Sequence, residues 1–177
     1  MNKDILWVEQ YRPSTIDDLI LPEEIKSTFR EIIGQEKIPN LILSGSAGVG
    51  KTSAAMVLCK SLNCDYIIIN GSDEGRLIET LRNKLTQYCS AVSMSGGRKV
   101  VIIDEAHNLV SRIVGKIGDS KSISHMLYEY LLSAENCRIV LLTGTPMINY
   151  PNEIGVLFNI LRGYITTWNF NLDTSNQ

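Results

Sequence analysis

The 177-residue sequence lacks an excess of charge of either sign, a paired-cysteine motif and a long apolar run. Its 17 basic and 19 acidic side chains nearly cancel, so any contact with nucleic acid must come from a local patch. The four cysteines form no C-x-x-C pair, which favours buried thiols in a reducing compartment over a disulfide or zinc framework. No apolar run approaches the length of a membrane span, and the N-terminus is too polar for a signal peptide. We therefore expect an intracellular protein with no membrane partner.

A glycine-rich segment after the apolar run 41–43 satisfies the full pattern G-x-x-x-x-G-K-[ST] and precedes a helical run. Glycines in such a loop let successive backbone N–H groups point at phosphate oxygens, beside the positive end of the following helix. Lys51 would reach the β- and γ-phosphates, and the Thr52 hydroxyl would coordinate Mg²⁺. The alternative is a glycine-rich turn with a surface lysine. The residues expected to hold the nucleotide here are Gly45, Ser46, Ala47, Gly48, Val49, Gly50, Lys51, Thr52 and Ser53.

Apolar runs alternate with helical patterns along the chain. Strands are predicted at 41–43, 66–69, 99–103, 138–142 and 164–168, and helices at 23–33, from the glycine-rich loop to about 62, and at 77–92, 124–133 and 153–161. This alternation indicates an α/β fold with a parallel five-stranded sheet, covered by helices on both faces as in the three-layer α/β/α P-loop NTPases. We expect one ATPase domain over 1–168, divided into 1–38, 39–108 and 109–168, and a mobile polar tail at 169–177.

Two carboxylates, Asp104 and Glu105, directly follow the buried strand predicted at 99–103. Ligands of parallel sheets bind beyond the carboxyl ends of the strands, where the glycine-rich loop also lies. Asp104 would hold Mg²⁺ through its waters, and Glu105 would orient or deprotonate the attacking water. The alternative is a pair of ordinary carboxylates at a helix start. Together with the loop, the pair indicates hydrolysis of ATP or GTP.

Four further side chains have two interpretations each. Thr143 and Thr145 follow the strand at 138–142 and could contact the γ-phosphate or the water, but threonines are also common in turns. His107 could couple the nucleotide to a neighbouring element, or only cap and pack a helix start. Arg162 could be an arginine finger for a neighbour's γ-phosphate, or a solvated surface arginine. Candidates for phosphate contacts with nucleic acid, mostly solvated by default, are Arg76, Arg82, Lys84, Arg98, Lys99, Arg112, Lys116 and Lys121.

Residues 5–108 resemble the ATPase domain of AAA+ sliding-clamp loaders, as in the small subunits of replication factor C and the loaders of tailed phages. The segments that carry the resemblance are WVEQYRP at 7–13, SGSAGVGKTSAA at 44–55, IINGSDEGRLIETLR at 68–82 and GGRKVVIIDEAH at 96–107. The resemblance implies that the adenine pocket is lined by Val8, Glu9, Gln10, Tyr11, Arg12 and Ile20. It also implies that Asp104 binds the metal, that Glu105 is catalytic, and that a basic residue near Arg82 faces DNA.

The same resemblance implies ATP and Mg²⁺ as cofactors. The implied partners are a sliding clamp, sibling loader subunits and primer–template DNA. Since hydrolysis would need a neighbour's arginine, we expect slow turnover by an isolated chain. The expected location is the host cytoplasm for a phage or viral protein, or the nucleus of a eukaryotic host.

Residues 104–168 resemble the first motor domain of the superfamily 2 DExH helicases of large DNA viruses. The D-E-A-H at 104–107 would be its motif II, and T-G-T at 143–145 its motif III. Clamp loaders tend to have an asparagine sensor after this strand and a Ser-Arg-Cys finger, where this chain has Leu161-Arg162-Gly163. A viral DNA helicase or translocase domain is therefore the second functional hypothesis. A non-catalytic nucleotide-binding scaffold is the third.

Overall fold

The computed structural model describes residues 10–72, 77–91, 97–116, 123–133, 137–147 and 149–163. The strands in these ranges are β1 (Leu41–Ser44), β2 (Asp65–Asn70), β3 (Lys99–Asp104) and β4 (Cys137–Thr143). The helices are α1 (Glu23–Gly34), α2 (Lys51–Ser61), α3 (Leu77–Ser90), α4 (Ala106–Val114), α5 (Ile123–Leu132) and α6 (Asn152–Arg162). The predicted helices do not include α4, for which the sequence patterns indicate only a helix start near His107.

The four strands pair in the order β1-β4-β3-β2, and all three pairings are parallel. The prediction of an α/β fold with a parallel sheet is confirmed. The described residues contain four strands where five were predicted, because the fifth, at 164–168, falls outside the described residues, as does the tail at 169–177. Strand β4 lies between β1 and β3, which brings the end of β4 beside the end of β1.

Helices cover both faces of the sheet. Because successive side chains of a strand point to opposite faces, Val101 and Ile103 of β3 pack with α3, α4, α5 and α6, while Val100 and Ile102 pack with α2. All four are at most 1% exposed, as expected for a central strand with an uninterrupted apolar run. The segment from Ile16 to Leu19 packs on α1 and α2 in a smaller third cluster. Three layers result, and no helix in the described ranges is long and apolar enough to cross a membrane.

Candidate nucleotide site

The carboxyl ends of β1, β3 and β4 meet at one edge of the sheet. Ser44, the last residue of β1, pairs with Thr143, the last residue of β4. The next residue, Gly45, donates its backbone N–H to the Thr143 carbonyl oxygen at 3.2 Å. The glycine-rich loop therefore starts from a fixed point on β4, with Asp104 at the end of the adjoining strand β3.

The glycine-rich loop turns through two left-handed backbone conformations before α2 begins. Gly48 has φ 78° and Gly50 has φ 89°, a region in which a side chain is strained. Helix α2 begins at Lys51, so its first N–H groups have no partner within the helix and lie at the loop. These features fit the anion cradle that the sequence predicts.

The Lys51 ammonium group is folded back onto the loop. Its Nζ atom donates to the carbonyl oxygens of Gly45, at 2.8 Å, and Ser46, at 2.9 Å. Neutral carbonyl oxygens are weaker partners for an ammonium group than phosphate oxygens, which bear charge. Phosphates entering the loop can therefore replace these contacts.

Two oxygen ligands of the predicted magnesium site are already in contact. Thr52 Oγ1 donates to Asp104 Oδ2 at 2.9 Å, across 52 residues of sequence. A hydroxyl and a carboxylate are hard oxygen donors that suit Mg²⁺. Within the described ranges no group of three or more His, Cys, Asp and Glu side chains is placed to hold a metal. Mg²⁺ is usually bound by one or two protein oxygen ligands together with substrate phosphates, and Thr52 and Asp104 fit that arrangement.

Glu105 is held in an unusual backbone conformation at the start of α4. Its φ is 49°, in the left-handed region, and its N–H donates to Asp104 Oδ1 at 3.0 Å. A Cβ added to Gly71, after β2, would lie 2.6 Å from the Glu105 carbonyl oxygen. Sequence reasoning missed Gly71 as a site residue. The Asn-Gly dipeptide ending β2 is only a general turn signal, whereas this close approach depends on the pairing of β2 with β3.

An open cavity of about 440 Å³ lies over these groups, large enough for a mononucleotide. It is lined by Tyr11, Arg12, Pro13, Ala47, Gly48, Gly50, Lys51, Thr52, Ser53, Asp104 and Glu105. Arg12 is also bonded to α2, through Nη1 to Met56 Sδ at 3.3 Å. Tyr11 and Arg12 thus lie at the site, whereas Val8 and Glu9 fall outside the described residues.

The remaining residues predicted for the adenine pocket lie elsewhere. Ile20 lines a second, mostly apolar cavity of about 540 Å³ between α1, β1 and the loop, together with Val49 of the phosphate loop. The two cavities share Gly50 and Lys51. Gln10 is exposed and is not part of either lining. The predicted base contacts are therefore divided between the two sides of the phosphate loop.

Thr143 lies beneath the cavity and not in its wall. The residue is fully buried, and its hydroxyl donates to the Thr145 carbonyl oxygen at 2.9 Å. His107 Nδ1 is 3.0 Å from the same hydroxyl oxygen. A contact of Thr143 with a γ-phosphate stays a prediction, and the observed partners of its side chain are the Thr145 carbonyl oxygen and His107.

Arg162 lies at the opposite edge of the sheet from the loop. It is the exposed last residue of α6, and the preceding residue, Leu161, accepts a hydrogen bond from Asn40 Nδ2 at 2.7 Å. Asn40 precedes β1 and the phosphate loop follows β1. A strand of four residues therefore separates Asn40 from the loop by roughly 13 Å. This position is compatible with contact to a neighbour's site, and that role stays a prediction.

Lys99, one of the basic residues considered for nucleic acid, is buried instead. It is 7% exposed, and its Nζ atom donates to the carbonyl oxygens of Tyr88, Cys89 and Ala91 at the end of α3. An ammonium group in this position satisfies carbonyl groups that a helix end leaves without partners. Lys99 is therefore a helix cap and is not available to phosphates. The Arg82 side chain falls outside the described residues.

Comparison with known proteins identifies the family. Residues 41–159 match the family described as "ATPase family associated with various cellular activities (AAA)". The chain belongs to the AAA family. The match covers most of the chain and runs from β1 into α6, so it includes much of the segment that resembles helicases.

Among the relatives of this AAA chain is the sliding-clamp-loader large subunit of Enterobacteria phage T4. The two are 39% identical over 140 residues, which are 78% of this chain and 41% of that subunit. The replication factor C small subunit of Methanosphaera stadtmanae is 35% identical over 108 residues, 58% of this chain and 33% of that subunit. The AAA chain therefore spans well under half the length of these relatives.

Solved structures agree on the fold. The RuvB Holliday junction branch migration motor of Thermotoga maritima superposes with a TM-score of 0.51 at 20% identity, over 76% of this chain and 42% of that one. At this identity the likeness shows the fold alone. It supports the expected P-loop NTPase architecture of the AAA chain.

Proposed function

We propose that this AAA chain is the ATP-binding and ATP-hydrolysing domain of a sliding-clamp-loader subunit, which couples ATP to clamp opening and loading at primer–template DNA. The observation that carries the enzymatic part is the contact of Thr52 Oγ1 with Asp104 Oδ2 at 2.9 Å, beside Glu105 in the cavity wall. The loader part is supported by the named relatives among phage and archaeal replication proteins.

The side chains divide the chemistry between them. Lys51 leaves the loop carbonyls to bind the phosphates, and the left-handed glycines present backbone N–H groups to the phosphate oxygens. Glu105 orients a water and accepts its proton during attack on the γ-phosphate. Mg²⁺, held by Thr52 and Asp104, supplies charge neutralisation on the phosphates when bound. Thr143 senses the γ-phosphate or the water.

The base is bound by the N-terminal segment in this proposal. Tyr11 and Arg12 line the phosphate cavity already, and Val8, Glu9 and Gln10 precede them directly in sequence. Ile20 completes the apolar surface from the neighbouring cavity. Substituting Tyr11 by Ala should weaken ATP binding and leave the affinity for inorganic triphosphate, which has no base, unchanged.

Hydrolysis requires Arg162 from an adjacent subunit. The position of Arg162 beyond the start of β1 keeps it away from its own phosphate loop, and its exposure leaves it accessible to a neighbour. An isolated chain is then expected to bind ATP well and to turn it over slowly. Mixing inactive K51A chains with inactive R162A chains tests this directly, since about a quarter of random interfaces would pair an intact site with an intact arginine. Failure of the mixture to recover any turnover contradicts the role in trans.

The partner part is tested by measuring ATP turnover with a sliding clamp plus primer–template DNA, and with single-stranded DNA alone. Stimulation only by clamp plus primer–template is the expected result. Stimulation by single-stranded DNA without any clamp would favour the helicase-like alternative. The E105Q variant is the control: its turnover should fall to background, whereas a chain that binds ATP equally with and without this change and turns over none is a nucleotide-binding scaffold, and not an enzyme.

A further inference from the structure

His107 contacts two functional groups at once. It lies in the first turn of α4, where its Nδ1 atom is 3.0 Å from Thr143 Oγ1 and 3.4 Å from Glu105 Oε2. The imidazole is 15% exposed, the Glu105 carboxylate is 44% exposed, and Thr143 is fully buried. The imidazole therefore lies between the carboxylate at the cavity and the buried end of β4.

The hydrogen bonds of Thr143 determine which imidazole nitrogen carries the proton. The hydroxyl has one proton, which it donates to the Thr145 carbonyl oxygen. Its oxygen can then only accept a hydrogen bond from His107, so Nδ1 carries the N–H of the neutral ring. Glu105 Oε2 lies farther from the same nitrogen, at 3.4 Å. A hydroxyl and a carboxylate thus compete for one donor.

Thr143 is also bonded to the phosphate loop. Its carbonyl oxygen accepts the Gly45 N–H at 3.2 Å, and the Gly45 carbonyl oxygen accepts Lys51 Nζ at 2.8 Å. When Lys51 moves to bind phosphates, the Gly45 carbonyl oxygen loses its hydrogen bond from Nζ. The N–H of the same glycine is the group that donates to Thr143 at the end of β4. A contiguous series of contacts therefore joins the phosphate-binding lysine to Thr143, and from there to the imidazole and the carboxylate.

We infer that His107 is a positioning residue that sets the orientation of the Glu105 carboxylate according to the state of the phosphate loop. The inference rests on the proposed ATPase function. While Thr143 holds the imidazole N–H, the carboxylate is only weakly held. A shift of the end of β4 as the loop closes on nucleotide turns the N–H toward Glu105, which fixes one carboxylate oxygen and directs the other at the water.

Three variants separate positioning from packing. H107L removes the donor and should lower kcat by about 10- to 100-fold, with KM for ATP within about twofold of the unchanged chain. H107N keeps an N–H near the position of Nδ1 and should stay within about threefold. H125L removes the chain's other histidine, which contacts Glu129 at 3.9 Å on α5, and should leave kcat unchanged. Equal kcat for H107L and the unchanged chain, or equal losses in H107L and H107N, would overturn the inference.

A double-mutant cycle with T143V tests the route through β4. If His107 acts through Thr143, the H107L/T143V double variant should be no slower than the slower single variant. Losses of kcat that multiply in the double variant would contradict the coupling.

E105Q separates this inference from the function on which it rests. If neither the unchanged chain nor E105Q turns over ATP, the ATPase proposal fails; if E105Q is inactive and H107L is as fast as the unchanged chain, only the role of His107 fails.

Nuclear magnetic resonance of the ring nitrogens decides the question without turnover. In H125L the only histidine left is His107, so its signals need no further assignment. At alkaline pH we expect the proton on Nδ1, and a change in the Nδ1 and proton shifts when a non-hydrolysable ATP analogue binds. The change should disappear in H125L/T143V. A proton on Nε2, or signals that ignore the analogue, would overturn the inference.

Discussion

The two edges of the sheet use polar side chains in opposite ways. At the carboxyl edge, Lys51 and Thr52 hold only contacts that phosphates and a metal ion can replace, in the wall of an open cavity. At the amino edge, Asn40 bridges Leu161 O and Ile139 N, which belong to two different elements. The polar contacts at the carboxyl edge can be replaced by contacts with ligands, whereas those at the amino edge hold elements of the fold together. A polar residue's contribution to function or to stability should therefore follow from the edge on which it lies.

The largest expected effect is that of K51A at the carboxyl edge. Losing two charge-assisted phosphate contacts should reduce ATP affinity by about 100-fold or more and abolish measurable turnover. The thermal midpoint should stay within a few degrees, because in the free chain Lys51 binds only carbonyls of its own loop. Fluorescent ATP binding and thermal unfolding measure the two quantities. A K51A chain that unfolds early but still binds ATP would contradict the division between the edges.

N40A should have the reverse effect at the amino edge. The Asn40 side chain makes two backbone hydrogen bonds, at 2.7 and 2.9 Å, and its removal leaves both groups without their partner. We expect the free energy of unfolding to fall by about 2 kcal/mol, with a thermal midpoint lower by about 4–8 °C. Turnover per folded molecule should be unchanged. The control is N83A, at an exposed position of α3, which should cost nothing. Lost turnover with full stability would contradict the assignment of Asn40 to the framework.

Sequence patterns predicted the carboxyl edge far better than the amino edge. The glycine-rich loop is a local signal, and Asp104 and Glu105 follow an uninterrupted apolar run, so both could be placed at strand ends without knowing the strand order. The Thr52–Asp104 contact confirms that they meet. The amino-edge contacts of Asn40 span 99 and 121 residues and depend on the strand order and on where α6 ends. No local pattern encodes such a contact.

Some features of the site itself also escaped prediction. That His107 lies within reach of Thr143 depends on β4 lying beside β3, and that Gly71 abuts Glu105 depends on the register of β2 against β3. Both are consequences of packing between segments far apart in sequence. For the same reason Lys99, which by composition belongs with surface cations, could not be recognised as a buried helix cap.

G71A tests the comparison between the two edges at a residue that both packs in the fold and touches the site, because Gly71 lies against Glu105. The added methyl group would lie 2.6 Å from the Glu105 carbonyl oxygen, so the start of α4 must shift. We expect turnover about 10-fold lower and unfolding easier by about 1–3 kcal/mol. G155A is the matched control, since an added Cβ there meets nothing within 4 Å in α6 and should stabilise the helix by about 0.5–1 kcal/mol. Normal turnover in G71A would show that Glu105 tolerates displacement.

The smallest expected effect concerns Cys89, at the amino-edge end of α3. A hydrogen bond from the Cys137 thiol, aided by the Tyr130 hydroxyl and the charge of Lys99, lowers the pKa of Cys89 despite partial burial. Burial raises the pKa of Cys59 to about 12. Because the thiolate is the nucleophile, iodoacetamide at neutral pH should modify Cys89 before the other cysteines, and slow down as the pH falls through its lowered pKa.

C137A removes the hydrogen bond that lowers this pKa, so the pH midpoint of Cys89 alkylation should rise toward that of an ordinary thiol. ATP affinity and turnover should stay unchanged, because the pair lies across the sheet from the phosphate loop. Peptide mass mapping across a pH series gives the midpoint. A midpoint unchanged in C137A would show that Lys99 and Tyr130 alone lower the pKa of Cys89. A loss of ATP binding on alkylation of Cys89 would show that the two edges of the sheet are coupled.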